Sequence, residues 1–297
     1  MKFVSLSLIT ALFASVAAMD QQEQEETKTI FGNPHLITWK NEHIEQEYLG
    51  QCDIVMVHDA KFAEGLGLDI HIRTKIVRDW SYIRSVAIKI GNDVLEIQGS
   101  PNLYDPESHY WFNNKYQGEL EDLAGFPVMI AKPTDYKRQY IIDLDSKYPG
   151  KGITVSLFKD FVRFKLNGDD SVFGNTVGIL GDYKTGKKLA RDGATELNDI
   201  GDLGEEWQVL PGDPRLFHEV AHPQFPDNCI RSENHPRANH RPESEVSFEQ
   251  AESACSSSLS DDPQTIQICI SYVMAAQDLG MVGDVLAMKL FHPELLL

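Results

Sequence analysis

The sequence predicts a mainly β protein, an antiparallel β-sandwich with a small C-terminal α-helical appendage. Three observations predict it. Short apolar runs with a two-residue period recur from Ile54 to Leu166. Turn-forming Gly, Asn, Asp and Pro separate them at the spacing of a sandwich. Beyond residue 246 the apolar period lengthens to that of a helix.

Taken in order, residues 1–18 read as a secretory signal peptide, with Lys2, an apolar run over 3–16 and the small Ala17 and Ala18. That run is shorter than the roughly 20 residues a bilayer-spanning helix needs. Charged residues break every later apolar run, so the expectation is a secreted, extracellular chain without a membrane span. Residues 19–29, with the stretch DQQEQEE, have little to bury and read as a disordered acidic lead-in. A β domain is expected over 30–229, with β pattern almost throughout as far as Leu210. Within it Ile54, Met56 and His58 alternate with Val55 and Val57. Leu68, Ile70 and Ile72 alternate with Asp69, His71 and Arg73, the pattern of a strand that buries one face. Further strands are expected over 83–90, 94–97, 128–131, 140–144, 153–158 and 161–166, with turns at Gly91-Asn92-Asp93, Pro149-Gly150 and Asn167-Gly168-Asp169.

Residues 230–246 carry two prolines and no apolar period, and read as a linker. A helical module is expected over 247–297. Ser247-Phe248-Glu249-Gln250 has the form of a capping box and opens a short helix holding Cys255. Asp262 and Pro263 supply an N-cap and first-turn proline for a second helix, whose apolar face is Ile266, Cys269 or Ile270, Val273 and Ala276. A last amphipathic segment runs around Val285, Leu286, Met288 and Leu290.

With 45 acidic residues against 27 Lys and Arg, the net charge is −18, which disfavours nucleic acid as a partner and favours solubility. Four cysteines, Cys52, Cys229, Cys255 and Cys269, suit two disulfides in an oxidising compartment. No C-x-x-C pair supports a zinc or redox site. Cys255 and Cys269 fall on consecutive short helices that a hairpin brings to disulfide distance, which leaves Cys52 for Cys229.

Three separated stretches carry a resemblance. The first is Gly32-Asn33-Pro34-His35 followed by Leu36-Ile37-Thr38-Trp39; the second is Gly50-Gln51-Cys52-Asp53-Ile54-Val55-Met56. The third is Val177-Gly178-Ile179-Leu180-Gly181-Asp182-Tyr183, after which come Asp192-Gly193, Gly204, Trp207 and Cys229. In order and spacing this set, over residues 30–229, resembles the von Willebrand factor type D domain, with its Gly-Asp-Pro-His opening, Gly-x-Cys strand and Cys-Gly-Leu-Cys-Gly-Asn loop. The resemblance implies a β-rich extracellular domain and, independently of the helical hairpin, the same Cys52–Cys229 pairing. Val177 and Leu180 stand where members of the family carry loop cysteines, so two of its disulfides are missing here.

The resemblance also implies a calcium site and, in some members, self-cleavage at the Asp-Pro bond. Lys40 stands near the first ligand position, and Lys184, Lys187 and Lys188 crowd the second; ammonium groups offer none of the six to eight oxygens calcium takes. No metal or other cofactor is therefore expected, Asp182 and Asp192 being the acidic candidates that remain. Asn33 replaces the attacking Asp carboxylate with an amide, a poor nucleophile. The Asn33-Pro34 bond is expected to survive mild acid, and a fragment beginning at Pro34, seen by mass spectrometry after low-pH incubation, would overturn this.

No catalytic residue is assigned. His218-Glu219 and His222 spell H-E-x-x-H, but Pro214, Pro223 and Pro226 bracket too short a segment for the two helical turns that motif requires. There is no G-x-S-x-G elbow and no phosphate-binding loop, although Thr185-Gly186-Lys187-Lys188 resembles the end of one. No N-x-[ST] sequon occurs. The leading expectation is a non-enzymatic interaction or matrix protein whose partners are extracellular proteins or matrix. The alternatives are a carrier of a hydrophobic ligand and, third, a hydrolase. An exposed aromatic patch using Tyr104, Tyr110, Trp111 and Phe112 points to the first, and a large apolar cavity to the second.

Overall fold

Alternation becomes two antiparallel sheets because each strand has one apolar edge of side chains to hide. The computed structural model describes residues 27–30, 39, 48, 50–77, 80–99, 109–134, 137–158, 161–231, 246–259, 263–276, 279–283 and 285–286. The signal peptide, Gly32 to His35, Lys40, Tyr104, Met288, Leu290 and most of the 230–246 segment lie outside the described residues.

The strands are β1 (Thr27–Ile30), β2 (Gly50–Gln51), β3 (Asp53–Asp59), β4 (Leu68–Val77), β5 (Trp80–Ile90), β6 (Asp93–Gln98), β7 (His109–Phe112), β8 (Lys115–Tyr116), β9 (Asp122–Leu123), β10 (Phe126–Thr134), β11 (Lys137–Asp143), β12 (Gly152–Phe158), β13 (Phe161–Asn167) and β14 (Ile230–Arg231). One six-stranded sheet has the order β1-β13-β12-β11-β10-β9, the other β3-β4-β5-β6-β7-β8, and β14 pairs with β2 alone. The inner faces meet in one core: Ile70, Ile72, Val86, Ile88, Leu95 and Ile97 from the second sheet, Tyr140, Ile142, Ile153, Val155, Val162 and Phe164 from the first. Burying each such aliphatic side chain contributes about 1.5–3 kcal/mol before entropy is counted.

The expected strands are present at the expected places, β2 and β7 to β9 are additional, and the structure departs from the sequence reading in further ways. The last three residues of the 19–29 lead-in belong to β1, whose backbone pairs antiparallel with β13, Thr27 opposite Asn167 and Ile30 opposite Phe164. The first two residues of the 230–246 linker form β14, opposite Gln51 and Gly50. The β pattern stops at residue 167: 168–229 are loops with two short helices, α1 (Asp170–Phe173) and α2 (Ile200–Glu206). Each is begun by a carboxylate, Asp169 capping the Ser171 amide and Asp199 the Asp202 amide. Finally, Asp69, His71 and Glu96, on the polar side of their strands, are buried.

The C-terminal module contains α3 (Phe248–Ser258) and α4 (Pro263–Ala276). Both halves of the capping box are made: the Ser247 hydroxyl accepts from the Gln250 amide and the Gln250 side chain from the Ser247 amide. The helices share their own core of Ala251, Cys255, Leu259, Ile268, Cys269, Val273 and Met281, joined by the Cys255–Cys269 disulfide at a Cα separation of 5.9 Å. The buried face of α4 is wider than expected, taking in Ile268, Tyr272 and Met274, while Ile266 is only partly buried.

Candidate functional site

The third motif stretch closes the free edge of β3. His58 and Val177 exchange two backbone hydrogen bonds (2.7 and 2.9 Å), and the Ile179 amide donates to the Val55 carbonyl. Further along, Val55 donates to the Trp207 carbonyl and Val209 to the Asp53 carbonyl. Gly178 sits at φ +139°, where a Cβ would lie 2.3 Å from the Met56 carbonyl oxygen, so the loop reaches the strand only because no side chain intervenes. Gly181, at φ +86°, turns the chain so tightly that a Cβ would meet the Lys187 carbonyl oxygen at 2.8 Å. Trp207 is buried, its indole donating to the Leu189 carbonyl and its ring lying under Arg191. The structure thus brings Gly178, Gly181, Asp182 and Trp207 into one assembly on β3, with Leu180 fully buried and Val177 partly so.

Asp182 and Asp192 each close a turn. Asp182 Oδ1 accepts from the amide and hydroxyl of Thr185 (2.7 and 2.6 Å), and Asp192 accepts from the Ala194 and Thr195 amides and the Thr195 hydroxyl. The Thr195 hydroxyl and amide hold the exposed Asp192 carboxyl below its usual range. Lys187 pairs with Glu196 at 3.1 Å, and Lys184 is exposed. Melting curves recorded with calcium and with chelator are expected to agree within about 1 °C, since only a ligand that binds the native state raises its stability; a rise of many degrees with calcium would sink this.

The main cluster of titratable groups lies on the outer face of the second sheet. Register sets a cross-strand row, Val55–His71–Ala87–Glu96–Trp111, flanked by Asp53 opposite Arg73 on one side and His58–Asp69–Lys89 on the other. A strap of irregular chain following Trp207 covers this face. The His218 amide donates to Glu96 Oε2 at 2.7 Å and its ring Nδ1 shares the same oxygen at 2.8 Å, while the ring stacks on Trp111 with centroids 3.8 Å apart. Arg73 holds Asp53 through two bonds, donates to the Glu219 carbonyl and lies over Phe217. Arg191 grips Asp213 through two nitrogens and the carbonyls of Glu206 and Gln208. At the far end Cys229 is bonded to Cys52, with Cα atoms 5.2 Å apart. His218, Glu219 and His222 therefore sit on irregular chain, not on a helix, and the H-E-x-x-H spelling has no metal-binding geometry here.

Between strap and sheet is a cleft of about 590 Å³, counted out to its open mouth, lined by Asp53, His71, Arg73, Phe217, Val220 and Phe225 among others. On the neighbouring hairpin, Tyr110 and Phe112 pack toward the core, whereas Tyr116 is 45% exposed and its ring leans on Trp111. Of the expected aromatic patch, then, Trp111 lies on the outer face of the sheet, partly buried under His218, and is joined by the exposed Tyr116, which the sequence reading did not single out.

Electrostatics divides the histidines. The Asp69 hydrogen bond (2.6 Å) raises the pKa of His58 against the opposing effect of burial. Burial pulls Asp69 up, but the His58 bond and charge, with His71 and Lys89, outweigh it and hold the carboxyl low. His71 is 1% exposed, and burial drives its pKa down to about 4. Being depressed in the native state, it contributes stability that is full above its ordinary value of 6.5 and is lost as pH falls toward 4, on the order of 3 kcal/mol in all. His58 has the opposite sign, its contribution present below 6.5 and fading as pH rises through its elevated native value. Urea midpoints are expected to fall between pH 7 and pH 4.5 in the native protein and to fall much less in His71→Leu; equal slopes would refute the assignment.

The sequence reading missed His71, Glu96 and the strap. A polar residue at alternate strand positions signals a solvent face, and no local pattern announces that a segment over a hundred residues away will cover it. No protein-family model matches the chain, and no curated protein matches it either.

Proposed function

We propose that this chain is a secreted, non-enzymatic interaction or matrix protein built on a domain similar to the von Willebrand factor type D domain. The observation that carries the reading is how the chemistry-bearing side chains are used. Asp69 binds both His58 and Lys89, Glu96 binds His218, and Asp53 binds Arg73. They fasten the fold, while the β7–β8 hairpin presents Tyr116 outward beside the partly buried Trp111. The two disulfides suit an oxidising, extracellular setting, and the strap and hairpin together offer the partner surface.

The test immobilises the chain and passes fractionated extracellular medium and matrix extract over it, alongside a Trp111→Ala/Tyr116→Ser variant of unchanged melting temperature. Saturable capture of an extracellular component, lost in the variant, is the expected result. Turnover of ester, peptide or glycoside substrates that disappears in His218→Ala or His58→Ala would overturn the reading.

A further inference from the structure

We propose that residues 214–228 form a proton-released strap: protonation of His71 beneath it lifts the strap from the sheet while both its ends stay attached, baring the apolar side chains it covers. The geometry has three parts. His71 lies in the middle of the covered face, between Val55 and Ala87, and neither ring nitrogen has a hydrogen-bond partner among the described residues. A neutral ring tolerates that position; an imidazolium without a partner or water does not.

Second, the charges nearest His71 are already paired. On its own strand Asp69 is bound by His58 of β3 and Lys89 of β5, and Arg73 is bound to Asp53 of β3. From the loops, Arg191 holds Asp213, and from β6, one strand beyond Ala87, Glu96 gives Oε2 to His218, while its Oε1 is buried without a partner among the described residues. Asp69 and Asp213 favour a charge on His71, whereas Arg191 and His58 oppose it, after burial, which opposes it most. Glu96 Oε1 is separated from the ring by the Ala87 strand, and the ring nitrogens are buried although His71 lines the cleft, so full hydration of an imidazolium comes when the strap lifts.

Third, the strap is built to lift without unravelling the sandwich. Its near end is fixed by Val209 on β3 and by Asp213 in the Arg191 grip, its far end by the Cys52–Cys229 disulfide. Between them it contains no helix or strand; it meets the sheet through His218 on Glu96 and Trp111 and Arg73 on Glu219 and Phe217, and its flanks through Gln51 of β2 on the His222 carbonyl and Gln208 on the Asp227 carbonyl. Irregular segments held by few bonds are the ones that open locally below the global unfolding free energy. Lifting exposes Leu216, Phe217 and the outer face of Trp111, an apolar surface available in acid and closed at neutral pH.

Hydrogen exchange of the full chain, read by mass spectrometry and corrected for the intrinsic pH dependence, tests this. Strap peptides are expected to gain about 30-fold in open population from pH 6.5 to 4.5, the linkage expected for one buried His, while β12 and β13 peptides stay protected. His71→Leu is expected to remove the step. Should that variant fold poorly, NMR titration of the His71 ring in the native sequence decides, because its midpoint must coincide with that of strap exchange. Strap protection unchanged down to pH 4.5, a step that persists in His71→Leu, or a ring midpoint displaced from the exchange midpoint would each overturn the proposal.

Discussion

The paired Cys52→Ala/Cys229→Ala variant is expected to lose about 5 kcal/mol of unfolding free energy, measured by urea denaturation at neutral pH. The bond closes a loop with a sequence separation of 177, and in the chain-entropy model a crosslink of that span contributes about 5 kcal/mol by restricting the unfolded chain. Cys255–Cys269, with a separation of 14, contributes about 3 by the same relation. The larger effect has a structural side as well. Both sulfurs are buried, and the bond sits beside the β2–β14 pair, which holds the far end of the strap. A loss under about 2 kcal/mol would mean that the denatured chain already keeps these segments together.

Gly178→Ala is expected to cost on the order of 3 kcal/mol, combining backbone strain at positive φ with overpacking. At this position the added carbon meets backbone, the Met56 carbonyl and the Val57 amide nitrogen, and neither can swing aside as a side chain does. Relief requires the loop to withdraw from β3, which breaks the His58–Val177 pair and the Ile179–Val55 bond. Gly193→Ala is the matched control: its φ of +70° is also positive, but no atom lies within 4 Å of the added carbon. If both variants melt alike, the contact with Met56 contributes nothing beyond backbone conformation.

Local pattern made much of this fold legible. The period-two runs give β3 to β6 and β10 to β13 because each strand buries one row against the other sheet, and the capping box of α3 is a contiguous signal that needs no tertiary help. The two disulfides follow from cysteine number and the helical hairpin. What the sequence hid is non-local. β1 begins within a segment read as lead-in because β13 offers it an open edge, and the β-favouring letters Thr27 and Thr29 were the sequence cue. Asp169 and Asp199 were visible helix caps inside a stretch read as β. Met129 and Ile130 run the other way: apolar letters in β10 that remain exposed, since apolar character alone does not name the face that will be covered. The candidate site was least legible, because His71 becomes unusual only when residues after 207 fold back across the sheet.

The covering of β3 by the loop after Thr176 and the segment after Trp207 bears on how the protein behaves in a crowd. An end strand with bare amides and carbonyls is a template for a second chain, and short end strands are one natural defence. At β8 this sheet uses that defence, since the strand has two residues. At β3, with seven, it cannot, and the protein's own loops occupy the amides and carbonyls through which strangers would dock. Withdrawal of the Gly178 loop is therefore expected to do more than loosen the fold: it bares a seven-residue strand edge of the kind through which chains pair with one another.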